Sequence, residues 1–375
     1  MSPRVLHLVW RLTEGGGVPR VVRQLLLSPA SPPEAHLLSI RPFYPEDRLD
    51  TLPKSVRLAS LEVDAPRARS LRSRIDIVHR AGHHLRQVRP DLIHLHQGLH
   101  WYALESLVRG RVPVLLDVHD APSRMKGSRV GRAISGWMAR HLPFTLVVHS
   151  AAVREEVARE WGVDRDRIAV VPLGIPTQDF AGDPTPEWRQ AEGISPSAPL
   201  VTYVARLVES KNIPLFLAVA ERVLAERPDA VFLLVGQGPV GEGARQRVEA
   251  MGRGGSIRGL GFRDDLPELL RNSDVFLSTS DYEGFGLALA EAGAAGTPVV
   301  STRVGGVTEV VVEGETGFLA EAGDAEGLAA ATLRLLATPE LRARMGAAGR
   351  TRVARHFDSG EMAARYQAVY ARMLG

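Results

Sequence analysis

Asp281-Tyr-Glu-Gly-Phe-Gly-Leu-Ala-Leu-Ala-Glu-Ala-Gly-Ala-Ala-Gly-Thr-Pro-Val-Val300 sets two glutamates, Glu283 and Glu291, around a Gly-Phe-Gly turn and follows them with an apolar run. On one continuous helix the two carboxylates stand about 80° apart around the axis and about 12 Å apart along it, on different faces. Breaking the segment removes the difficulty. Asp281 to Gly286 reads as a loop after a strand at Asp274–Ser278, and a helix begins near Leu287. Glu283 then lies just ahead of a helix N-terminus whose free amides, near Phe285, Gly286 and Leu287, face an incoming ligand. Glu291 lies about a turn inside the same helix. Carboxylates accept hydrogen bonds from vicinal hydroxyls, so this pair suits a sugar and a ribose held together. A capping acid plus a surface acid explains each glutamate alone, but not their combination with Gly-Phe-Gly and Thr-Pro-Val-Val.

Outward from this stretch, short β-branched runs alternate with longer helical patterns, the signature of parallel sheets built from βαβ units. Strands are expected at Arg4–Trp10, His36–Ile40, Val56–Ser60, Leu92–His96, Val112–Val118, Thr145–His149 and near Ile168–Val171. The pattern restarts at Leu200–Ala205, Ala230–Val235, Ser256–Leu260, Asp274–Ser278 and Pro298–Thr302. Between the halves lies a Pro- and Gly-rich segment, residues 172–186, that reads as a linker. The fold expected is α/β, with two Rossmann-like domains facing across a cleft. The domains span residues 1–175 and 176–357, and a final helix, 358–375, crosses back to the first.

The length of 375 residues fits two domains of ordinary size. Absence of cysteine excludes disulfides, thiolate metal sites and cysteine nucleophiles. No apolar run approaches the roughly 18 residues of a membrane span, and the N-terminus lacks a signal-peptide pattern, so a cytoplasmic protein is expected. The net charge of +3 hides an asymmetry: residues 1–175 carry 26 basic against 17 acidic side chains (+9), and the remainder 20 against 26 (−6). A basic half implies an anionic ligand or surface. Arg67 to Arg89 holds seven arginines and one acid, Asp76. Residues 128–144 form a potential amphipathic helix with Val130, Ala133, Ile134, Trp137, Met138 and Leu142 on one side and Arg129, Arg132 and Arg140 elsewhere. Such a helix can lie on an anionic membrane. Its ordinary alternative is packing on the sheet. Nucleic acid is a poorer partner, since no recognised binding module accompanies the charge.

Other motifs carry alternatives of their own. Glu14-Gly15-Gly16-Gly17-Val18 follows the first strand, where glycines allow close approach of a phosphate or simply a tight turn. Gly236-Gln-Gly-Pro-Val-Gly241 matches a dinucleotide fingerprint, but the acidic residue about 20 positions on is missing, so a Gly-rich strand-to-helix loop is preferred. Arg206 and Lys211, beyond a strand's carboxyl end, suit a diphosphate or a solvated loop. His94 and His96 share a strand face. A metal reading wants a third ligand, and core or cleft histidines are preferred. His119, at another strand end, can bond sugar hydroxyls or stabilise a leaving phosphate. Asp164-Arg-Asp166, the sole D-x-D, reads as solvated surface.

These residues resemble the retaining glycosyltransferases of family 4, which have the GT-B fold. The Glu-x7-Glu element Glu283–Glu291 carries the resemblance, with Gly296-Thr-Pro-Val-Val300, Gly305-Gly-Val-Thr-Glu309, Gly314-Glu-Thr-Gly-Phe-Leu319, Arg206 to Lys211, Gly236-Gln-Gly-Pro and Val171-Pro-Leu-Gly-Ile175. Gly16 to Val18, Asp91 to His94 and His119-Asp120 follow more loosely. The resemblance implies that Gly16, Gly17 and Gly236 line the donor site and that Arg206 and Lys211 hold the diphosphate. It implies that Glu283 and the amides of Phe285, Gly286 and Leu287 bind the donor sugar, that Glu291 binds the ribose, and that His119 contacts the sugar. His119 and Glu283 are thus the candidate catalytic residues, with Arg20 and His96 as acceptor contacts. Leu173 replaces an asparagine common in relatives, and Pro19 stiffens the first Gly-rich loop.

The reaction implied is retaining hexosyl transfer from a UDP- or GDP-sugar to a glycan, lipid-linked or small-molecule acceptor, in cell-envelope glycan or glycolipid synthesis. No cofactor and no metal is expected, because the two cations and helix N-termini can neutralise the leaving diphosphate. Peripheral contact with the inner face of the membrane is the accompanying expectation. The alternatives are a non-catalytic sugar-nucleotide-binding protein and a GT-B-like nucleotide-sugar epimerase.

Overall fold

A computed structural model describes residues 3–12, 17–28, 34–44, 47, 49–63, 71–96, 112–124, 129–250 and 255–375. The chain divides into two compact units, Met1–Gly174 together with Ser359–Gly375, and Ile175–Asp358.

The N-terminal unit is built on a seven-stranded parallel sheet in the order β3-β2-β1-β4-β5-β6-β7. Its strands are β1 (Arg4–Val9), β2 (Glu34–Ser39), β3 (Arg57–Ser60), β4 (Leu92–His96), β5 (Val114–Val118), β6 (Phe144–Val148) and β7 (Ile168–Val170). The central strands are buried on both faces, as helix-covered parallel sheets require, and so read as continuous apolar runs. Ile93, Leu95, Leu116, Val118, Leu146 and Val148 join Met138, Val153 and Trp161 from the covering helices in one cluster. The helix Ala151–Trp161 starts at Ser150, whose side chain accepts from the Val153 amide, and stops at left-handed Gly162. The last helix, Ser359–Leu374, belongs to this unit and buries Met362, Tyr366, Val369 and Tyr370.

The C-terminal unit carries a six-stranded parallel sheet in the order β10-β9-β8-β11-β12-β13. Its strands are β8 (Leu200–Val204), β9 (Val231–Val235), β10 (Ile257–Gly261), β11 (Val275–Ser278), β12 (Val299–Thr302) and β13 (Gly317–Ala320). Both sheets reverse direction of strand order at their first strand, between β1 and β4 and between β8 and β11. Such reversals open a crevice beyond the carboxyl ends, where ligands of doubly wound sheets bind.

The twelve strands expected from sequence are present within about two residues. The edge strand β13 was not anticipated: its four residues overlap the end of the Gly-containing run 314–319 and are too few to show a period. Residues 172–186 are also more than a linker. Ile175 donates its amide to Phe357 and is fully buried, Phe180 closes a short helix, Thr177–Phe180, and Trp188 bonds to Asp265 just beyond.

Candidate active site

In the C-terminal unit, the two strands at the switch point deliver the expected donor residues. β8 runs into Arg206 and, through a short turn at Glu209–Lys211, into the helix Ile213–Glu226. β11 runs through Thr279 and Ser280 into Glu283. Lys211 Nζ lies 2.5 Å from Glu283 Oε1, and Ser280 donates its hydroxyl to the same oxygen at 2.8 Å. The pair is largely screened from solvent, with side-chain exposures of 19% and 15%. The structure therefore brings Lys211 and Glu283 together directly. Arg206 is exposed, and among the described residues no carboxylate pairs with it.

The loop bearing Lys211 is held from below. Tyr203, buried in β8, donates to the Lys211 carbonyl at 3.0 Å and bonds to Ser280 at 2.9 Å, while Thr279 donates to the carbonyls of Lys211 and Asn212. Burial, and then the Glu283 charge, push the Tyr203 hydroxyl above its ordinary range, so it stays a neutral donor. Asn212, left-handed at φ 45°, caps the helix and also donates to Asp281. Tyr203 and Ser280 were not singled out in the sequence. An apolar strand containing one tyrosine gives no sign that its hydroxyl meets a loop.

Glu283 is fixed through its backbone as well. Its carbonyl accepts from Gly306 at 2.9 Å, and a Cβ on Gly305, at φ +47°, would fall 2.1 Å from that carbonyl oxygen. This is the structural reason for Gly305-Gly306. Beyond Glu283, the helix Leu287–Ala295 opens at left-handed Gly286. The Phe285 ring is buried edge-on to Phe357, so only its backbone is available to a ligand. Leu287 is partly exposed, and Glu291, one turn on, is 2% exposed.

Gly236 and Gly238 have a packing explanation. A Cβ at either would meet the Ala205 or Leu207 carbonyl oxygen, at 1.8 and 2.1 Å. These glycines let the turn after β9 press against the Arg206 loop, so the fingerprint-like spacing shapes that loop.

In the N-terminal unit, Gly16 lies outside the described residues. Gly17 opens the helix Gly17–Leu27, and Pro19 sits in its first turn, where no intrahelical donor is needed. Arg20 follows, half-buried. His119 and His96 belong to a buried array that sequence reasoning resolved only in part. His7 (β1), His94 and His96 (β4), Asp117 (β5), His119 and His149 converge because parallel register sets His7 opposite His94 and His96 opposite Asp117. His94 Nε2 lies 2.9 Å from Asp117 Oδ2 and its Nδ1 2.7 Å from the Tyr370 hydroxyl, while Tyr366 donates to both Asp117 oxygens at 2.9 and 2.8 Å. Tyr366 and Tyr370, one turn apart, thus pin the last helix to the sheet. His7 Nδ1 meets His96 Nε2 at 3.1 Å, and His149 Nδ1 donates to the Val171 carbonyl.

Burial would raise the Asp117 carboxyl, but the neighbouring imidazoles outweigh it and hold it well below the usual carboxylate range. Burial pushes His96 down to about 4 and lowers His7, His119 and His149 as well, with neighbouring imidazoles adding to the effect. Asp164 caps the Asp166 amide in an exposed turn and forms no site.

Two Rossmann-like sheets, one with a lysine–glutamate pair and a glycine-bounded helix N-terminus at its switch point, define the GT-B class of glycosyltransferases. The chain belongs to glycosyltransferase family 4. Residues 15–179 match the family described as Glycosyltransferase Family 4, and residues 184–352 that described as Glycosyl transferases group 1. N-acetyl-alpha-D-glucosaminyl L-malate synthase of Bacillus anthracis is 29% identical over 286 residues, 75% of this chain and 74% of its own length. D-inositol 3-phosphate glycosyltransferase of Xylanimonas cellulosilytica is 30% identical over 308 residues, 75% of this chain and 72% of its own. Among solved structures, Anabaena HepE in complex with UDP and glucose shares the fold, with a TM-score of 0.82 over 99% of this chain and 100% of its own at 20% identity.

Proposed function

We propose that this glycosyltransferase moves a hexosyl group from a nucleoside diphosphate sugar to an acceptor hydroxyl with retention at the anomeric carbon and without a metal. The observation that carries the reading is the Lys211–Glu283 pair at the β8/β11 switch point, with Glu291 one turn into the adjoining helix. Glu283 accepts from donor-sugar hydroxyls and Glu291 from the ribose. Lys211 and exposed Arg206 neutralise the diphosphate as its bond to the anomeric carbon breaks. The acceptor oxygen bonds to that carbon on the face the phosphate leaves, and the departing phosphate oxygen takes the hydroxyl proton. The protein's work in this step is alignment and charge stabilisation. His119, kept neutral by burial, meets the donor sugar as a hydrogen-bonding group.

The acceptor carries negative charge. The N-terminal half holds the +9 balance, and two relatives have names that specify L-malate and D-inositol 3-phosphate. The helix Arg129–His141 buries Gly136, Met138 and Ala139, while Val130, Ile134 and Trp137 are 68%, 36% and 52% exposed and Arg129 and Arg140 stand in solvent. The apolar stripe expected from sequence therefore splits: Met138 goes to the core with Leu142 packed against it, while Val130, Ala133, Ile134 and Trp137 face outward. No described helix is long and apolar enough to cross a membrane. An outward apolar row with arginines and no acid suits the surface of an anionic bilayer, and hence a lipid-linked or membrane-adjacent acceptor.

Transfer from UDP-, GDP- and ADP-sugars to anionic acceptors, followed by nucleoside diphosphate release with EDTA present, tests the reading. The anomeric configuration is then read by NMR. Retained configuration supports it; inversion, or loss of activity restored only by a metal, contradicts it. Sedimentation with phosphatidylglycerol vesicles, expected to weaken for Trp137→Asp and to fail with neutral lipid, tests the membrane contact. Equal sedimentation of variant and parent removes that part.

A further inference from the structure

The buried array in the N-terminal unit gathers one carboxylate and several imidazoles away from water. Asp117 is fully buried and accepts from Tyr366, and among the described residues the basic side chains close to it are imidazoles only: His94 at 2.9 Å, His96 at 3.3 Å and His119 at 4.0 Å. Buried carboxylates ordinarily pair with a cation or ligate one. His96 Nδ1 and His119 Nε2 are buried with no hydrogen-bond partner among the described residues. These two imidazole nitrogens and one carboxylate oxygen lie within 4.8 Å of one another.

From this geometry we propose that His96 Nδ1, Asp117 Oδ2 and His119 Nε2 bind a divalent transition-metal ion, with zinc the ion whose preferences the set meets. Zinc takes imidazole nitrogen and carboxylate oxygen at about 2.0–2.2 Å in tetrahedral geometry, which spaces donor atoms about 3.3–3.5 Å apart. The His96–Asp117 separation of 3.3 Å already fits, and the His119–Asp117 separation of 4.0 Å closes with a small ring movement. The fourth position is left to water or a ligand oxygen. Supporting groups are in place, as metal-ligating histidines and carboxylates require. His7 Nδ1 lies 3.1 Å from His96 Nε2, so a proton held on Nε2 between them leaves the His96 Nδ1 lone pair for the ion, and His94 and Tyr366 hold the carboxylate. The rival trio His7, His94 and His96 offers no carboxylate to offset the ion's charge, and both ring nitrogens of His94 are engaged with Tyr370 and Asp117, so it is the weaker donor set.

The site goes beyond the transfer reaction, which is proposed to need no metal. One consequence does rest on that reading: zinc engages His119, the residue proposed to meet the donor sugar, so occupancy inhibits transfer and EDTA relieves the inhibition.

The decisive experiment uses untagged full-length protein stripped with EDTA and desalted. Zinc is titrated calorimetrically, and cobalt(II) is followed by the visible absorption of a four-coordinate ion. One ion per chain is expected, with a tetrahedral cobalt spectrum. His96→Gln and Asp117→Asn should each lose more than the about 10–100-fold that removal of a supporting residue costs. His141→Ala, on the exposed end of its helix, should bind as the parent does. His119→Gln, at the rim of the array, covers a core variant that fails to fold. Absence of stoichiometric uptake by the parent overturns the proposal, as does undiminished uptake in folded ligand variants. Neither result depends on glycosyl transfer.

Discussion

Acidification should unfold the N-terminal unit selectively, because its interior holds imidazoles that burial keeps neutral. A histidine whose folded pKa lies below its unfolded value adds stability that is full above the unfolded pKa and is lost as pH falls toward the folded one. His96 falls from 6.5 unfolded to about 4 folded. Moving from about pH 7.5 to about pH 5 protonates it almost completely in the unfolded chain and hardly at all in the folded one, a loss of about 2 kcal/mol. His7, His119 and His149 shift the same way, each adding at most about 2 kcal/mol at that pH, so the total lies between about 2 and about 8 kcal/mol. Asp117 shifts downward as well, and its contribution is lost only in stronger acid, below the ordinary carboxylate range. For a unit of this size each kcal/mol moves the midpoint by about 2–4 °C, so a fall of at least about 4 °C is expected. The C-terminal unit contains only His356 and supplies an internal reference. Calorimetry at the two pH values in EDTA buffer, with hydrogen exchange assigning each transition to its unit, measures the difference. An N-terminal transition that is insensitive to pH, or that moves no more than its neighbour, would refute the reasoning.

Gly305→Ala drives a Cβ against the Glu283 carbonyl in a left-handed conformation, a strain of about 1–3 kcal/mol. Its expected reading is donor affinity reduced at least about tenfold in a folded protein, checked by calorimetric titration. Tyr366→Phe removes the hydroxyl that donates to both oxygens of Asp117, at a cost of about 1.5–3 kcal/mol for a bond to a charged group. Denaturant unfolding should place that loss in the N-terminal unit. Transfer should persist in EDTA, and a complete loss restored by magnesium or manganese would contradict charge neutralisation by Arg206 and Lys211.

Much of this architecture was legible because parallel strands buried on both faces leave unmistakable apolar runs, as at Leu92–His96 and Val231–Val235. The Glu283–Glu291 stretch was legible for another reason: Gly286 breaks the helix between two acids that one helix cannot aim together. The supports were not visible. Tyr203 and Ser280 lie 77 positions apart, and Tyr366 reaches Asp117 across 249. Contacts of that range depend on sheet order, which no local period encodes. The histidine array shows both sides of this. His94 and His96 announced a shared strand face, but the partners that make it an array come from β1, β5 and the segments after β5 and β6.

Equilibrium titration of UDP-, GDP- and ADP-sugars against the parent protein and Glu291→Gln tests the donor site most directly. The expected result is one nucleotide sugar bound per chain, with an affinity about 10–100-fold weaker in the variant, as loss of a charged acceptor of hydroxyl hydrogen bonds implies. Equal affinity in a folded Glu291→Gln protein, or no nucleotide-sugar binding by the parent, would contradict the site.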